Sequence, residues 1–281
     1  MNRQGHVAED NKAQARATMS PARIAQLLET ERYGRSLELK AETASTNDDA
    51  RAAALSGAAR GHVVLADGQS SGRGSHGRTW CSPSGTDLYF SIVDRPALTV
   101  SQLPPLTLAV GLGVAEVVAG ALADPRHPPP PASPSVEVKW PNDVWVAGRK
   151  CAGILLEAMS TGSNLNSLVI GVGINVNRQT FPDGLDHPAT SMALAAGRRF
   201  DREEVLAAAL GRVERWITRL EQEGASPVVD AVTERLALRG QAVTCGAYAG
   251  ELVGIATDGS LRLRTDHGEV RCVSGRVRPA R

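Results

Sequence analysis

A glycine-rich segment, GRGSHGRTW at residues 72–80, holds the side chains best suited to chemistry. Its spacing matches the GxGxxG motif of dinucleotide-binding proteins, but Pro83 follows at once, so the helix that this motif needs to hold a pyrophosphate cannot form. A P-loop is excluded because no helix follows and Arg78 stands where its lysine is required. What remains is a loop whose Arg73 and Arg78 can bind phosphate oxygens while the Trp80 indole stacks on a base. The structural alternative is a solvated hairpin with incidental arginines.

A lysine at the end of a predicted strand is the second feature. Lys139 begins the segment KWPND, residues 139–143, and is followed by a proline turn. An ammonium group fixed at a strand end loses little entropy when it binds a phosphate or a carboxylate. The alternative is a surface lysine whose stem lies along the protein while its ammonium group stays in water.

Two glycines, Gly171 and Gly173, lie in an apolar run that ends in Asn175. Because these positions lack side chains, a flat ligand could approach the backbone there, and the Asn175 amide could bind a base or a phosphate. A bulge, or tight packing beneath a helix, would explain the same glycines. The triplet STN at residues 45–47 offers further polar groups, or equally an N-cap for the helix that follows.

Hydrophobic periodicity and turn residues predict the elements that position these motifs. Helices are predicted over residues 21–34, after 45–47, over 103–123 and over 201–224. Strands are predicted over residues 62–66, 88–93, 136–140, 144–148, 151–158 and 167–175. The last strand is continuously apolar and therefore belongs in the middle of the sheet. From about residue 240, short strands broken by Asp-Gly and His-Gly turns predict a small β-rich domain.

One predicted helix, residues 103–123, is long enough to cross a membrane. Glu116 lies in its middle and three glycines interrupt it, which favours a buried core helix. Residues 1–20 are polar and are expected to be disordered, and Met19 is a possible alternative start.

Composition places the chain among soluble globular proteins. Hydrophobic residues make up 42% and charged residues 22%, which excludes a wholly disordered chain. The formal net charge is only +1, so no global field attracts nucleic acid or an anionic membrane, and neither is expected as a partner. The four cysteines are scattered and no secretory leader precedes them, which argues against disulfides and a zinc site and for a cytoplasmic location.

Together with Gln69, SPSGTDLYFSI at 82–92 and GRKCAGILLE at 148–157, these motifs resemble the biotin protein ligases in order and spacing. The resemblance implies an α/β (α+β) fold: a catalytic domain with a mixed sheet, related to class II aminoacyl-tRNA synthetases and lipoyl ligases. It also implies a small SH3-like β-barrel at the C-terminus. The expected organisation is a leader over 1–20, the catalytic domain over 21–237 and the SH3-like domain over 238–281.

The resemblance also implies roles for single residues. Lys139 matches the lysine that reaches the biotin carboxylate and the α-phosphate, and it is implied as catalytic with Arg73 and Arg78. The implied biotin-binding residues are Ser45, Thr46, Asn47, Gln69, Arg73, Gly74, Ser75 and Lys139. The implied ATP-binding residues are Trp80, Lys150, Asn175, Gly171 and Gly173, and no metal ligand is implied.

The implied reaction has two steps. Biotin and Mg²⁺-bound ATP form biotinyl-5′-AMP, and a lysine of the biotin carboxyl carrier protein of acetyl-CoA carboxylase then takes the biotin. Such a reaction needs charge neutralisation and orientation more than a covalent nucleophile.

Two departures from the family pattern stand out. Ser75 lies where many members have arginine, and the 40 or so residues before the match are too few for the DNA-binding domain of the dual ligase-repressors, which favours an enzyme only. The alternatives are a lipoate or octanoate ligase-type transferase, a DNA-binding repressor, and a non-enzymatic nucleotide-binding regulator. The pairing of KWPND with GRGxxGR speaks against the first of these.

Overall fold

The computed structural model describes residues 19–126, 134–162 and 164–280. Residues 1–18 of the expected disordered leader lie outside these residues. The expectation is wrong for its last two residues, because Met19 is buried in the core and the Ser20 side chain accepts a hydrogen bond from the backbone N–H of Arg23 at the start of the first helix. In the described part of the chain, the α-helices are α1 (Pro21–Leu27), α2 (Thr46–Leu55), α3 (Leu103–Leu122), α4 (Met192–Ala196), α5 (Arg202–Glu223) and α6 (Ser226–Glu234). The strands of the first sheet are β1 (Leu37–Thr43), β2 (Val63–Gln69), β3 (Leu88–Asp94), β4 (Val136–Lys139), β5 (Asp143–Val146), β6 (Arg149–Thr161) and β7 (Asn164–Ile174). Those of the second are β8 (Ala242–Cys245), β9 (Tyr248–Ile255), β10 (Leu261–Thr265), β11 (Gly268–Cys272) and β12 (Val277–Pro279).

The larger sheet has seven strands in the order β1-β2-β3-β7-β6-β5-β4. Strands β1 and β2 are parallel and all other neighbours are antiparallel, so the predicted mixed α/β fold is confirmed. Strand β7 is the central strand, as its continuous apolar sequence predicts, because a strand with neighbours on both edges and cover on both faces has little contact with water.

Helix α3 is the main core helix. Thirteen of its twenty residues are buried, which confirms the prediction of a buried helix for this apolar run. It packs against α5, whose start is fixed by Asp201: the carboxylate accepts hydrogen bonds from the backbone N–H groups of Glu203 and Glu204. The predicted helix over 201–224 is confirmed at both ends.

The first helix is shorter than predicted. The sequence indicated a helix to residue 34, but α1 ends at Leu27. The carboxylate of Glu214, on α5, accepts hydrogen bonds from the backbone N–H groups of Glu31 and Arg32, both at 2.8 Å. These bonds satisfy the donors that a longer helix would have used, so a tertiary contact overrides the local helical pattern.

The second sheet is antiparallel, in the order β11-β10-β9-β8-β12, as expected for the β-rich C-terminal region. It contacts the first part of the fold through a turn at Gly259. The Trp140 Nε1–H donates to the Gly259 carbonyl at 2.9 Å, and a Cβ on Gly259 would lie 2.7 Å from Cβ of Pro104. We propose that the boundary between the two domains lies between residues 237 and 238, because all strands of the second sheet lie beyond it.

Glycines in α3 allow a test of this packing. A Cβ on Gly113 would lie 3.0 Å from the carbonyl carbon of Arg212 and the amide nitrogen of Val213, whereas a Cβ on Gly120 would meet nothing within 4 Å. Overpacking against a backbone costs about 1–3 kcal/mol, while alanine in an open helical position gains up to about 1 kcal/mol over glycine. We expect Gly113→Ala to lower the free energy of unfolding in urea and Gly120→Ala to raise it slightly. Equal effects from the two substitutions would contradict the close α3–α5 contact.

Candidate active site

One cavity of about 350 Å³ collects the motifs that the sequence singled out. Its wall is formed by the start of α2, the glycine loop, the middle of β6, the end of β7 and the segment between β7 and α4. Of the residues expected in the site, those that line the cavity are Ser45, Thr46, Asn47, Gln69, Arg73, Gly74, Ser75, Arg78, Trp80, Lys150, Gly171, Gly173 and Asn175. Lys139 is the exception, since it lies behind the wall.

The start of α2 forms a polar end of the cavity. The Gln69 Oε1 accepts hydrogen bonds from the backbone N–H of Thr46 at 2.9 Å and from its hydroxyl at 3.1 Å. The Gln69 Nε2 donates to the Ser82 hydroxyl at 2.9 Å. Ser45 occupies the N-cap position but its side chain makes no capping hydrogen bond, so the structure does not support the capping alternative for this residue. Its hydroxyl group therefore stays at the cavity wall.

Gly171 serves a different purpose from the one predicted. A Cβ on Gly171 would lie 2.1 Å from Oδ1 of Asn47, so the missing side chain leaves room for this amide and not for a flat ligand. The same Oδ1 accepts a hydrogen bond from the Ser91 hydroxyl at 2.6 Å, and the Nδ2 donates to Glu157 at 2.8 Å. The alternative of tight packing beneath a helix therefore holds at this position.

Gly173 does admit a flat group, and that group is the protein's own Trp80. Gly153 on β6 and Gly173 on β7 are direct cross-strand partners. A Cβ at either position would approach the Trp80 indole to within 2.9 Å or less, so two glycines allow the ring to lie on the strand backbones. The ammonium group of Lys150 lies 5.1 Å from the centre of this ring. The sequence analysis did not single out Gly153, although a glycine inside an apolar strand pattern is a signal for close approach.

The glycine loop is a closed hairpin whose arginines are engaged. Arg73 forms ion pairs with Asp48 at 2.7 Å and with Glu157 at 2.9 Å. Arg78 donates to the Ser75 hydroxyl at 2.7 Å and to the Ser75 carbonyl at 3.0 Å. The alternative of a solvated hairpin with incidental arginines does not describe this loop, since both guanidinium groups hold it in place.

Lys139 is buried, which excludes the surface-lysine interpretation. Only 4% of the residue is exposed, and its ammonium nitrogen lies 5.1 Å from the centre of the Trp145 ring. Burial lowers the pKa of Lys139, the positive charges of Lys150 and Arg78 act in the same direction, and Asp143 opposes them. Asp143 also forms an ion pair with Lys150 at 2.7 Å. This arrangement concentrates positive charge beside the cavity, and Asp143 is the carboxylate that offsets it at Lys139.

The segment between β7 and α4 adds residues that the sequence analysis missed. Asp186 lies 3.2 Å from Arg78 and 3.2 Å from Arg276, so it connects the glycine loop with the C-terminal sheet. The positive charge of Arg276 is the largest cause of the lowered pKa of the Asp186 carboxyl. The His187 ring centre lies 5.5 Å from that of Trp145, and burial, followed by the charge of Lys139, lowers the pKa of the imidazole. No periodicity or motif marks this irregular segment.

Asn175 lies at the cavity as predicted, but its amide is used to hold the wall. Its Nδ2 donates to the Thr190 carbonyl at 3.0 Å. Within the described ranges, no group of three His, Cys, Asp or Glu side chains is placed to hold a metal ion.

Comparison with known proteins agrees with this geometry. Residues 41–175 match the model of the biotin/lipoate A/B protein ligase family. The chain is 35% identical to the biotin–[acetyl-CoA-carboxylase] ligase of Mycobacterium tuberculosis over 80% of each chain. It is 33% identical to the enzyme of the same name from Paracoccus denitrificans, over 81% of this chain and 94% of that one.

A solved structure extends the similarity to the fold. The biotin protein ligase from Aquifex aeolicus in complex with biotin and ATP superposes with a TM-score of 0.74 at 28% identity. The superposition covers 88% of this chain and 100% of that one. The chain therefore belongs to the biotin protein ligases of the biotin/lipoate A/B protein ligase family.

Proposed function

We propose that this protein is an ATP-dependent biotin ligase that forms biotinyl-5′-AMP and transfers the biotinyl group to a lysine of a carrier protein. The observation that carries the proposal is that one cavity contains both a polar end, at Thr46 and Gln69, and an aromatic and cationic end, at Trp80 and Lys150. A small acid and a nucleotide can meet there without leaving the cavity. The family relationship and the similarity to a ligase in complex with biotin and ATP support the same proposal.

In the first step a carboxylate oxygen of biotin forms a bond to the α-phosphorus of ATP, and pyrophosphate leaves. Both reactants are anions, so the protein must offset their repulsion and align them. Lys139, Lys150 and Arg78 supply that positive charge around Asp143. Because Lys139 is buried, its field is weakly screened and acts strongly on charge that develops in the transition state.

In the second step the ε-amine of the carrier lysine attacks the acyl carbonyl carbon, and AMP leaves. A covalent nucleophile of the enzyme is not required in either step. The closed glycine loop limits the access of water to the acyl-adenylate. Mg²⁺ enters as part of the substrate Mg-ATP, held mainly by the phosphates.

The family relationship implies an acceptor domain that carries biotin as the protein partner. We propose that it is the biotin carboxyl carrier protein of acetyl-CoA carboxylase and that the reaction takes place in the cytoplasm. The near-neutral net charge of +1 supports an enzyme that acts without nucleic acid or a membrane.

The proposal predicts biotin-dependent exchange of labelled pyrophosphate into ATP, because adenylate formation is reversible. The measurement is label incorporated into ATP with biotin, with lipoate, with octanoate and without an acid. Exchange that requires biotin supports the proposal. Exchange driven by lipoate or octanoate but not by biotin would show a related transferase instead.

The role of Lys139 can be tested with Lys139→Met, which keeps the length of the side chain and removes the charge. At an effective dielectric constant of about 20, a charge about 8 Å from the reacting groups contributes about 2 kcal/mol, so kcat/KM for exchange should fall about tenfold to a hundredfold. Lys40→Met is the matched control. Lys40 lies on β1, pairs with Asp49 of α2 and does not line the cavity, so its removal should leave exchange unchanged. A folded Lys139→Met protein with parental exchange would contradict the role of Lys139.

Ser75 lines the cavity at a position where many family members have arginine. In Ser75→Arg, the hydrogen bond that the partly exposed Arg78 guanidinium donates to the Ser75 hydroxyl, worth about 1 kcal/mol, is lost. A charged donor toward the adenylate, worth about 1.5–3 kcal/mol, is gained, which leaves a net gain of about 0.5–2 kcal/mol. Release of labelled biotinyl-5′-AMP after removal of free ligand should therefore slow about threefold to thirtyfold. Ser75→Gln has a long neutral side chain and should not slow release. Equal release from the parent and the arginine variant would show that this position does not control retention.

A further inference from the structure

Arg178, one of the residues that line the cavity, forms a buried ion pair with Asp87, which does not line it. Asp87 is fully buried and only 5% of Arg178 is exposed. The Arg178 Nε–H donates to Oδ2 of Asp87 at 2.7 Å. Arg178 lies in no motif of the sequence analysis, and Asp87, which falls within the segment 82–92, has no role assigned to it there or in the proposed function.

The pair joins two segments of the chain that meet at the cavity. The Arg178 Nη2–H donates to the carbonyl of Cys81 at 2.6 Å, and Cys81 directly follows Trp80 at the end of the glycine loop. On the other side, Oδ1 of Asp87 accepts a hydrogen bond from the backbone N–H of Val176 at 2.9 Å, just beyond β7. One carboxylate and one guanidinium group thus fix the end of the loop relative to the end of the strand.

The same guanidinium group contacts a second aromatic residue of the cavity. The Arg178 Cζ lies 5.3 Å from the centre of the Phe181 ring. Both Phe181 and Trp80 line the cavity, one from the segment after β7 and the other from the glycine loop. Arg178 is therefore in contact with the Phe181 ring and bonded to the residue after Trp80.

We propose that Arg178, held by Asp87, is a positioning residue that sets the placement of Trp80 and Phe181 for the nucleotide base. The proposal rests on the proposed function in assigning Trp80 to the nucleotide, and it adds Phe181 as a second ring of the base-binding wall. Arg178 acts through these rings, and its effect should be confined to the nucleotide half of the cavity.

Arginine suits this position better than lysine. Its planar group presents separate N–H donors to Asp87 and to the Cys81 carbonyl at the same time, and it can also lie over the Phe181 ring. A lysine at the same position keeps the charge beside Asp87 but offers a compact ammonium group in place of the fork. Arg178→Lys should therefore preserve most of the stability and still release the Cys81 carbonyl.

The first measurement needs no ligand. Trp140, Trp145 and Trp216 are buried and Trp80 is partly exposed, so acrylamide quenching of tryptophan emission, corrected with a Trp80→Phe protein, reports on the Trp80 ring. Arg178→Lys and Arg178→Met should increase quenching of Trp80, because its ring leaves the Gly153 and Gly173 backbones more often.

The second measurement is titration calorimetry with ATP and, separately, with biotin. Loss of a well-placed aromatic contact weakens base binding about tenfold, so both Arg178 variants should raise the Kd for ATP by about that factor. The Kd for biotin should stay within about twofold of the parent value. In the exchange reaction the KM for ATP should rise in the same proportion while the KM for biotin does not change.

Arg60→Met is the matched control for the loss of a buried ion pair. Asp94 is fully buried and bonded to the Arg60 Nε–H at 2.5 Å, and neither residue lines the cavity. This variant should lose stability as Arg178→Met does, yet keep the parental quenching of Trp80 and the parental Kd for ATP. An equal rise in the Kd for ATP in Arg60→Met would show that Arg178 matters for stability alone.

The outcomes separate this inference from the proposed function. Parental quenching and parental ATP binding in folded Arg178→Lys would overturn the inference while leaving the ligase activity intact. A parent protein without biotin-dependent exchange would overturn the proposed function, and the quenching measurement would still decide whether Arg178 places Trp80.

Discussion

The contact between the Trp80 indole and two strand backbones determines how the cavity is built. It exists because Gly153 and Gly173 face each other in the β6–β7 ladder, so that a large flat ring can occupy the space of two side chains. The end of the glycine loop must then reach the centre of the sheet. Because β7 is the central strand and β6 its neighbour, the seated ring lies far from the edges of the sheet.

Charge around this contact is arranged in local pairs. Arg73 is bound by Asp48 and Glu157, Arg78 by Asp186, and Lys150 by Asp143. Although the net charge of the whole chain is only +1, several cationic side chains lie together at the edge of the cavity. Lys139 stands apart because it is buried and is surrounded by more positive than negative neighbours, as its lowered pKa reflects. A buried ammonium group of this kind is costly to maintain, and a bound anion offsets the cost.

The sequence predicts the parts of the molecule whose determinants are local. Continuous apolar character identifies β7 as central, and Asp201 marks the start of α5, because burial and capping depend on neighbours in the chain. The order and spacing of the glycine loop, the KWPND segment and residues 171–175 predict which side chains meet at the cavity. The length of α1 is mispredicted because Glu214, far along the chain, takes the backbone N–H groups that would extend it.

The remaining differences arise from tertiary contacts that leave no pattern in the chain. Gly171 and Gly173 are alike in sequence, yet one makes room for Asn47 and the other for Trp80. Asp87 and Arg178 are 91 residues apart, and the motif over 82–92 that contains Asp87 gives no sign of this partner.

The KWPND segment connects the cavity to the second sheet. Lys139 is the last residue of β4 and Trp140 begins the turn that follows, and the two side chains make different contacts. Lys139 adds charge behind the cavity, while the Trp140 indole donates to the Gly259 carbonyl in the turn between β9 and β10. Arg276 meets Asp186 on the cavity side of the same interface. Since one backbone segment carries both contacts, a displacement of the second sheet would move Trp140 and with it the strand end that holds Lys139. The C-terminal sheet is therefore part of the framework that positions the site.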